Sequence, residues 1–212
     1  MGNDRGDRLP FPGLQTTWPD DLAALGYPPA AIDAVVCTHL HFDHVGWHTR
    51  LDAGRWVPTF PEARHLVVRE EWEHWKAGPE EPWLVPLHDT LDPVAEAGLL
   101  DLVPADHVVA PGVRLEPTPG HTPGQVAVVI ESVGEWAVIT GDVVHHPLQF
   151  TVPGMASAAD HDAVLAAEAR RVFVRRYADT GVLVIGTHFP GPTAGHLVTR
   201  GGEVRFVPLE ES

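Results

Sequence analysis

The run His39-Leu40-His41-Phe42-Asp43-His44 places three imidazoles and one carboxylate within six residues. Neutral imidazole and carboxylate oxygen suit divalent first-row metals, zinc above all, at bond lengths of about 2.0–2.2 Å. So short a run serves one tetrahedral centre awkwardly. Two ions are the easier solution, with His39 and His41 on one and Asp43 and His44 on the other. Further donors lie far along the chain. His121 sits between Pro119-Gly120 and Pro123-Gly124, a turn that fixes its backbone. Asp142 follows a glycine, and its two oxygens allow it to bridge two cations. His188 closes a buried apolar run. Together these are seven groups, enough for two sites that each keep a position open for water.

The elements around these residues must deliver them to one place. Ala34 to Thr38 reads as a buried strand running straight into the histidine cluster. Val113 to Pro117 and Gln125 to Glu131 read as strands on either side of the His121 turn. Trp136 to Thr140 is a strand ending at Gly141-Asp142, and Val182 to Thr187 is another ending at His188. Four strand ends thus each present a candidate ligand, as α/β proteins present chemistry at a sheet edge. Elsewhere, residues 1–19 read as an irregular entry segment, and Asp20 to Leu25 as a short helix stopped by Gly26. His65 to Val68 reads as a strand, Arg69 to Lys76 as a helix and the Pro-rich stretch 77–93 as a loop. The longest helix is expected over 158–178. His196 to Thr199 and Glu203 to Val207 flank Gly201-Gly202 as a hairpin.

Composition bounds the class. With 212 residues the chain is expected to form a single domain over 1–212, large enough to bury a core unaided. The net charge of -15 argues against nucleic acid or an anionic membrane as the main partner. A small molecule is the expected substrate, and a homo-oligomer is left open. The lone Cys37 excludes an internal disulfide framework. No apolar run reaches membrane-spanning length and the N-terminal stretch is polar, so a cytoplasmic location is expected.

The stretches Thr38 to His44, Pro119-Gly120-His121-Thr122-Pro123-Gly124, Thr140-Gly141-Asp142 and Thr187-His188 resemble the metallo-β-lactamase superfamily in identity and order. That resemblance implies a four-layer αββα sandwich. His39, His41 and His121 would bind the first metal, Asp43, His44 and His188 the second, and Asp142 would bridge. The implied cofactors are two divalent ions, zinc foremost. The implied chemistry is hydrolysis of an ester, lactone or related electrophile by a hydroxide shared between ions about 3.5–4 Å apart. Asp43, Asp142 and His145 are then the catalytic candidates, His145 as a donor to the developing oxyanion or leaving group. Val45-Gly46-Trp47 and the run from Gly141 to Gln149 are most similar to the branch holding quorum-quenching lactonases and methyl parathion hydrolase. His145 stands where the lactonases carry a tyrosine, which is nearer the parathion-hydrolase pattern. Family members usually open with strands ending in an Asp-Thr-Gly turn. This chain reads as beginning just past that turn, so a truncated chain, or one completed by a partner, is expected.

Two other readings compete. A glyoxalase II-like thioesterase shares the metal run but normally carries a C-terminal helical region, where this sequence shows a strand hairpin. The non-enzymatic alternative is a metal-binding remnant, inactive because the opening strands are absent. Of the remaining histidines, His48, His65, His74, His88, His107, His161 and His196 read as surface or core residues, with His146 adjoining the site. Cys37 reads as a packing residue. Phe42, Trp47 and Phe150 read as core, with an apolar pocket as the alternative. Arg170-Arg171 and Arg175-Arg176 read as the solvated face of the long helix.

Overall fold

The computed structural model describes residues 2–6, 12–78 and 87–209. The chain divides into two compact units, 1–103 and 104–212.

In the first unit the described residues ahead of α1 (Trp18–Ala24), 2–6 and 12–17, are irregular. Strand β1 (Ala34–Val36) leads through the cluster to α2 (Phe42–Val45). The hairpin β2 (Thr49–Asp52) and β3 (Arg55–Pro58) turns at Ala53-Gly54, both at positive φ, a turn whose twist matches that of its strands. Then come β4 (Arg64–Val68), α3 (Arg69–Lys76), α4 (Asp92–Glu96) and β5 (Leu100–Val103). β1, β4 and β5 form a parallel sheet in that order, so their C-terminal ends share one edge. Cys37, Leu40, Val45, Val67, Trp75 and Leu91 make the core beneath that edge.

Arg5 ties the entry segment down. Its buried guanidinium donates to the carbonyl oxygens of Asp89, Gly46 and Thr49, pairs with the Asp89 carboxylate at 3.4 Å and lies 3.9 Å over the Trp56 ring.

The second unit is one seven-stranded sheet backed by helices. Its elements are β6 (Val108–Ala110), β7 (Val113–Pro117), β8 (Val126–Ser132), β9 (Glu135–Ile139), α5 (Leu148–Thr151), α6 (Ala163–Tyr177), β10 (Leu183–Ile185), β11 (Ala194–Arg200) and β12 (Glu203–Pro208). The order is β12-β11-β10-β9-β8-β7-β6, antiparallel except for β9 and β10. That parallel pair requires a crossover, which α5 and α6 provide. Phe150, Phe173, Tyr177, Phe189 and Leu197 pack with sheet valines as its core.

Several expectations need correction. The strand Ala34 to Thr38 stops at Val36, and the second half of the histidine run is helical, because α2 begins at Phe42. The long helix starts at Ala163 rather than 158, since the Asp162 carboxylate caps it by accepting the N–H groups of Val164 and Leu165. The stretch 77–93 is not all loop: Leu87–Asp89 forms a 3-10 turn and α4 begins at Asp92, while 79–86 lies outside the described residues. Among the described residues no helix is long and apolar enough to cross a membrane. Both units mix helices with sheet, as the sequence led one to expect.

Candidate metal centre

In the first unit the donors follow β1. The rings of His39 and His41 meet edge-on with centroids 4.9 Å apart, and those of His39 and His44 lie 4.1 Å apart. His44 Nε2 is 3.4 Å from an Asp43 oxygen. His39 and His41 are buried, and Asp43 and His44 half-buried. What holds this loop is Glu71 on α3, a buried carboxylate the sequence reading did not single out. Its Oε1 accepts the backbone N–H of Leu40 at 2.8 Å and the indole N–H of Trp75 at 2.9 Å. Trp75 in turn meets the His41 ring edge-on at 5.6 Å. The Cys37 thiol donates to the His39 carbonyl, and burial, with the nearby Glu71 charge, pushes its pKa up to about 12. It is a packing residue, as expected.

In the second unit the parallel register does the positioning. Ile139 pairs with Ile185, so Asp142 and His188, each three residues further on, emerge side by side. Asp142 Oδ2 lies 3.0 Å from His188 Nε2, 3.4 Å from His145 Nε2 and 3.5 Å from His121 Nε2. Three imidazole nitrogens thus surround one carboxylate oxygen. Thr187 reinforces the pairing by donating to the Gly141 carbonyl at 3.0 Å. β7 and β8 are antiparallel, so the His121 turn opens at the same sheet edge. Gln125 joins the two loops: its amide donates to the Thr118 carbonyl, and its oxygen accepts the Asp142 N–H at 3.2 Å. Gly120, at φ +126°, lies against α6, where a Cβ would come within 2.2 Å of the Ala166 nitrogen. Gln149 takes the N–H groups of His145 and His146 and donates to the Met155 carbonyl, shaping the stretch after Asp142.

Behind His121 lies an arrangement the sequence reading missed. His121 Nδ1 is 3.2 Å from Asp160 Oδ1. The other Asp160 oxygen pairs with Arg170 at 3.3 Å and accepts the Ser157 N–H. Burial pushes the Asp160 carboxyl up, but hydrogen bonds from His121 and Ser157 and the Arg170 charge outweigh it and hold it below the usual carboxylate range. Arg170 is therefore not on the solvated face of α6: its side chain is 0% exposed and also donates to the Pro153 carbonyl at 2.9 Å. A run of paired arginines gives no hint of this, because a tertiary ion pair decides it. Arg171 and Arg175 are exposed partners of Glu168, as expected of that face.

The apolar candidates separate. Phe150 is core, stacked on Phe173 and Phe206. Trp47 lines a cavity of about 230 Å³ in the first unit with Trp18, Phe60 and, at its polar end, His44 and His48.

The donor chemistry fits divalent ions: imidazole nitrogens and carboxylate oxygens, with ligand atoms of His121, Asp142 and His145 all within 4.8 Å of one another. The metallo-beta-lactamase superfamily profile matches residues 5–176, and the chain belongs to that superfamily. The hydrolase AbOPH of the beta lactamase superfamily is similar with a TM-score of 0.83 and 26% identity, over 98% of this chain and 74% of that one. AidC, a dizinc quorum-quenching lactonase, shares the fold with a TM-score of 0.77 at 22% identity, again over 98% and 74%. A protein of Mycobacterium tuberculosis named "Probable metallo-hydrolase" is 27% identical over 78% of this chain and 57% of its own length. An N-acyl homoserine lactonase of a Bacillus species is 32% identical over 52% of this chain and 38% of its own. The chain thus spans little more than half the length of the mycobacterial relative and less than half that of the lactonase.

Proposed function

We propose that this chain is a dinuclear metal-dependent hydrolase of an ester, lactone or related small electrophile. His39, His41 and His121 would hold one ion, Asp43, His44 and His188 the other, with Asp142 shared and the two units acting as one domain. The observation carrying this reading is the convergence of His121, His145 and His188 on one Asp142 oxygen, in a superfamily member that also carries the His39 to His44 cluster. When bound, zinc or a similar ion supplies Lewis acidity and an activated water. The chain's residues then do three things. Buried His39, His41 and His121 keep their donors from bulk water. Asp142, fixed by the Gln125 contact to its backbone, holds the geometry in which water meets the substrate. His145, 22% exposed and beside Asp142, faces the reacting group and donates to its oxygen as charge develops there. The water oxygen would join the acyl carbon, the bond to the leaving oxygen would break, and that oxygen would take up the proton the water gives up.

The lactonase likeness puts a lactone first in a substrate panel; an aryl ester and a phosphotriester follow from the sequence resemblance, and a thioester tests the glyoxalase II-like alternative. After zinc loading the chain should hydrolyse at least one of them, and Asp142→Ala should lose metal and turnover together. Full metal content with parental turnover in Asp142→Ala would sink this reading.

A further inference from the structure

Asp160 sits immediately behind His121, and its geometry constrains the imidazole. A carboxylate only accepts, and of the two beside the His121 ring Asp160 is the nearer, 3.2 Å from Nδ1 against 3.5 Å from Asp142 to Nε2, so the geometry favours the neutral ring with its proton on Nδ1. Nε2, the nitrogen facing Asp142, is then left with its lone pair. The Asp160 carboxylate is itself fixed. Both it and Arg170 are fully buried, and the Arg170 fork reaches Asp160 while donating to the carbonyls of Pro153 and Val143, the residue after Asp142. His161 N–H donates to the His121 carbonyl and Asp162 N–H to that of Gly120, so the same short segment grips the turn's backbone as well.

We propose that Asp160 is a positioning residue for the metal centre, fixing the ring orientation and tautomer of His121 so that Nε2 binds an ion, with Arg170 anchoring the carboxylate and tying it to the loop after Asp142. This rests on the proposed role of His121 as a ligand. A carboxylate behind a ligating imidazole also raises its basicity, and loss of such a partner typically costs about 10- to 100-fold in metal affinity.

The test uses the full chain, with Asp160→Ala, Asp160→Asn and, as a control on the exposed face of α6, Arg171→Ala. Zinc affinity is measured by competition with a chromogenic chelator. Melting is followed on the metal-free proteins, and imidazole 15N–1H correlations report the His121 tautomer. Asp160→Ala should lose about 10- to 100-fold in affinity for one zinc. Asp160→Asn should lose less, because its amide oxygen still accepts from Nδ1, and Arg171→Ala should match the parent. The metal-free parent should show the His121 proton on Nδ1, and Asp160→Ala should redistribute it. Parental zinc affinity in either folded Asp160 variant overturns the proposal, as does a His121 proton on Nε2 in the parent. If Asp160→Ala fails to fold, Asp160→Asn carries the affinity test alone. Absence of zinc binding by the parent would sink the functional reading instead, and the tautomer measurement would still decide whether Asp160 sets the ring.

Discussion

Two buried side chains show how environment sets reactivity. Cys37 lies within two residues of a proposed ligand, yet burial beside Glu71 keeps it a thiol with a pKa near 12. A thiol reagent at neutral pH should leave the native protein unlabelled and modify Cys37 only on denaturation. Rapid native labelling would show the β1 end to be open. His48 and His65 form a buried pair with Nδ1 atoms 2.7 Å apart. Burial, with the charges of His65 and Arg5, lowers the His48 pKa from 6.5 to about 3, and burial lowers His65 as well. Between those values the unfolded chain takes up a proton at His48 that the folded one refuses. Stability from this residue is therefore full above about pH 6.5 and falls as pH drops toward 3. Urea midpoints should decrease between about pH 7.5 and 5, and His48→Leu should flatten that slope. Equal slopes would mean His48 does not stay neutral in the fold.

The sequence was legible wherever apolar runs end in punctuation. β7 and α3 fall on their expected residues, and β4 extends its run by one residue, because periodicity and flanking residues agree there. The β2–β3 hairpin escaped because Thr49 to Pro58 carries Arg50, Asp52 and Arg55 with little apolar alternation. β5 and β6 are short and half-exposed, which weakens the same signal. All the ligand candidates were legible from type and spacing. Their supports, Glu71, Gln125, Asp160 and Arg170, were not, because each acts on a partner 17, 31 or 39 positions away, or on a loop the sequence does not place beside it. The His121 turn offers the sharpest test of an element. Gly120→Ala combines positive φ with a backbone clash on α6, so a loss of about 1–3 kcal/mol is expected, with weaker zinc binding. Denaturant melts and chelator competition would check both, and parental values would show that the turn moves off the helix at no cost.

For the molecule as a whole, the proposed function makes the two units share their ions. Tryptophan reports on this cleanly. Six of the seven tryptophans, all but Trp136, fall in the first unit, whereas His188 falls in the second. Zinc should raise the melting temperature seen by tryptophan fluorescence, since an ion at 100 times its Kd adds about 2.7 kcal/mol. His188→Ala should reduce that gain although it lies outside the reporting unit. An undiminished gain would mean the first unit binds zinc alone.

The pairing of β9 with β10 also sets where this chain tolerates a change of length. Between Ile139 and Asp142, and again between Ile185 and His188, the spacers match. Adding or deleting a residue in either would move one ligand out of step with the other. Within the crossover joining the two strands, only a loop that Gln149, Asp160 and Arg170 do not pin is free of such a constraint. Insertions that retune what the site accepts therefore have room there, while the two-residue spacers Thr140-Gly141 and Gly186-Thr187 do not.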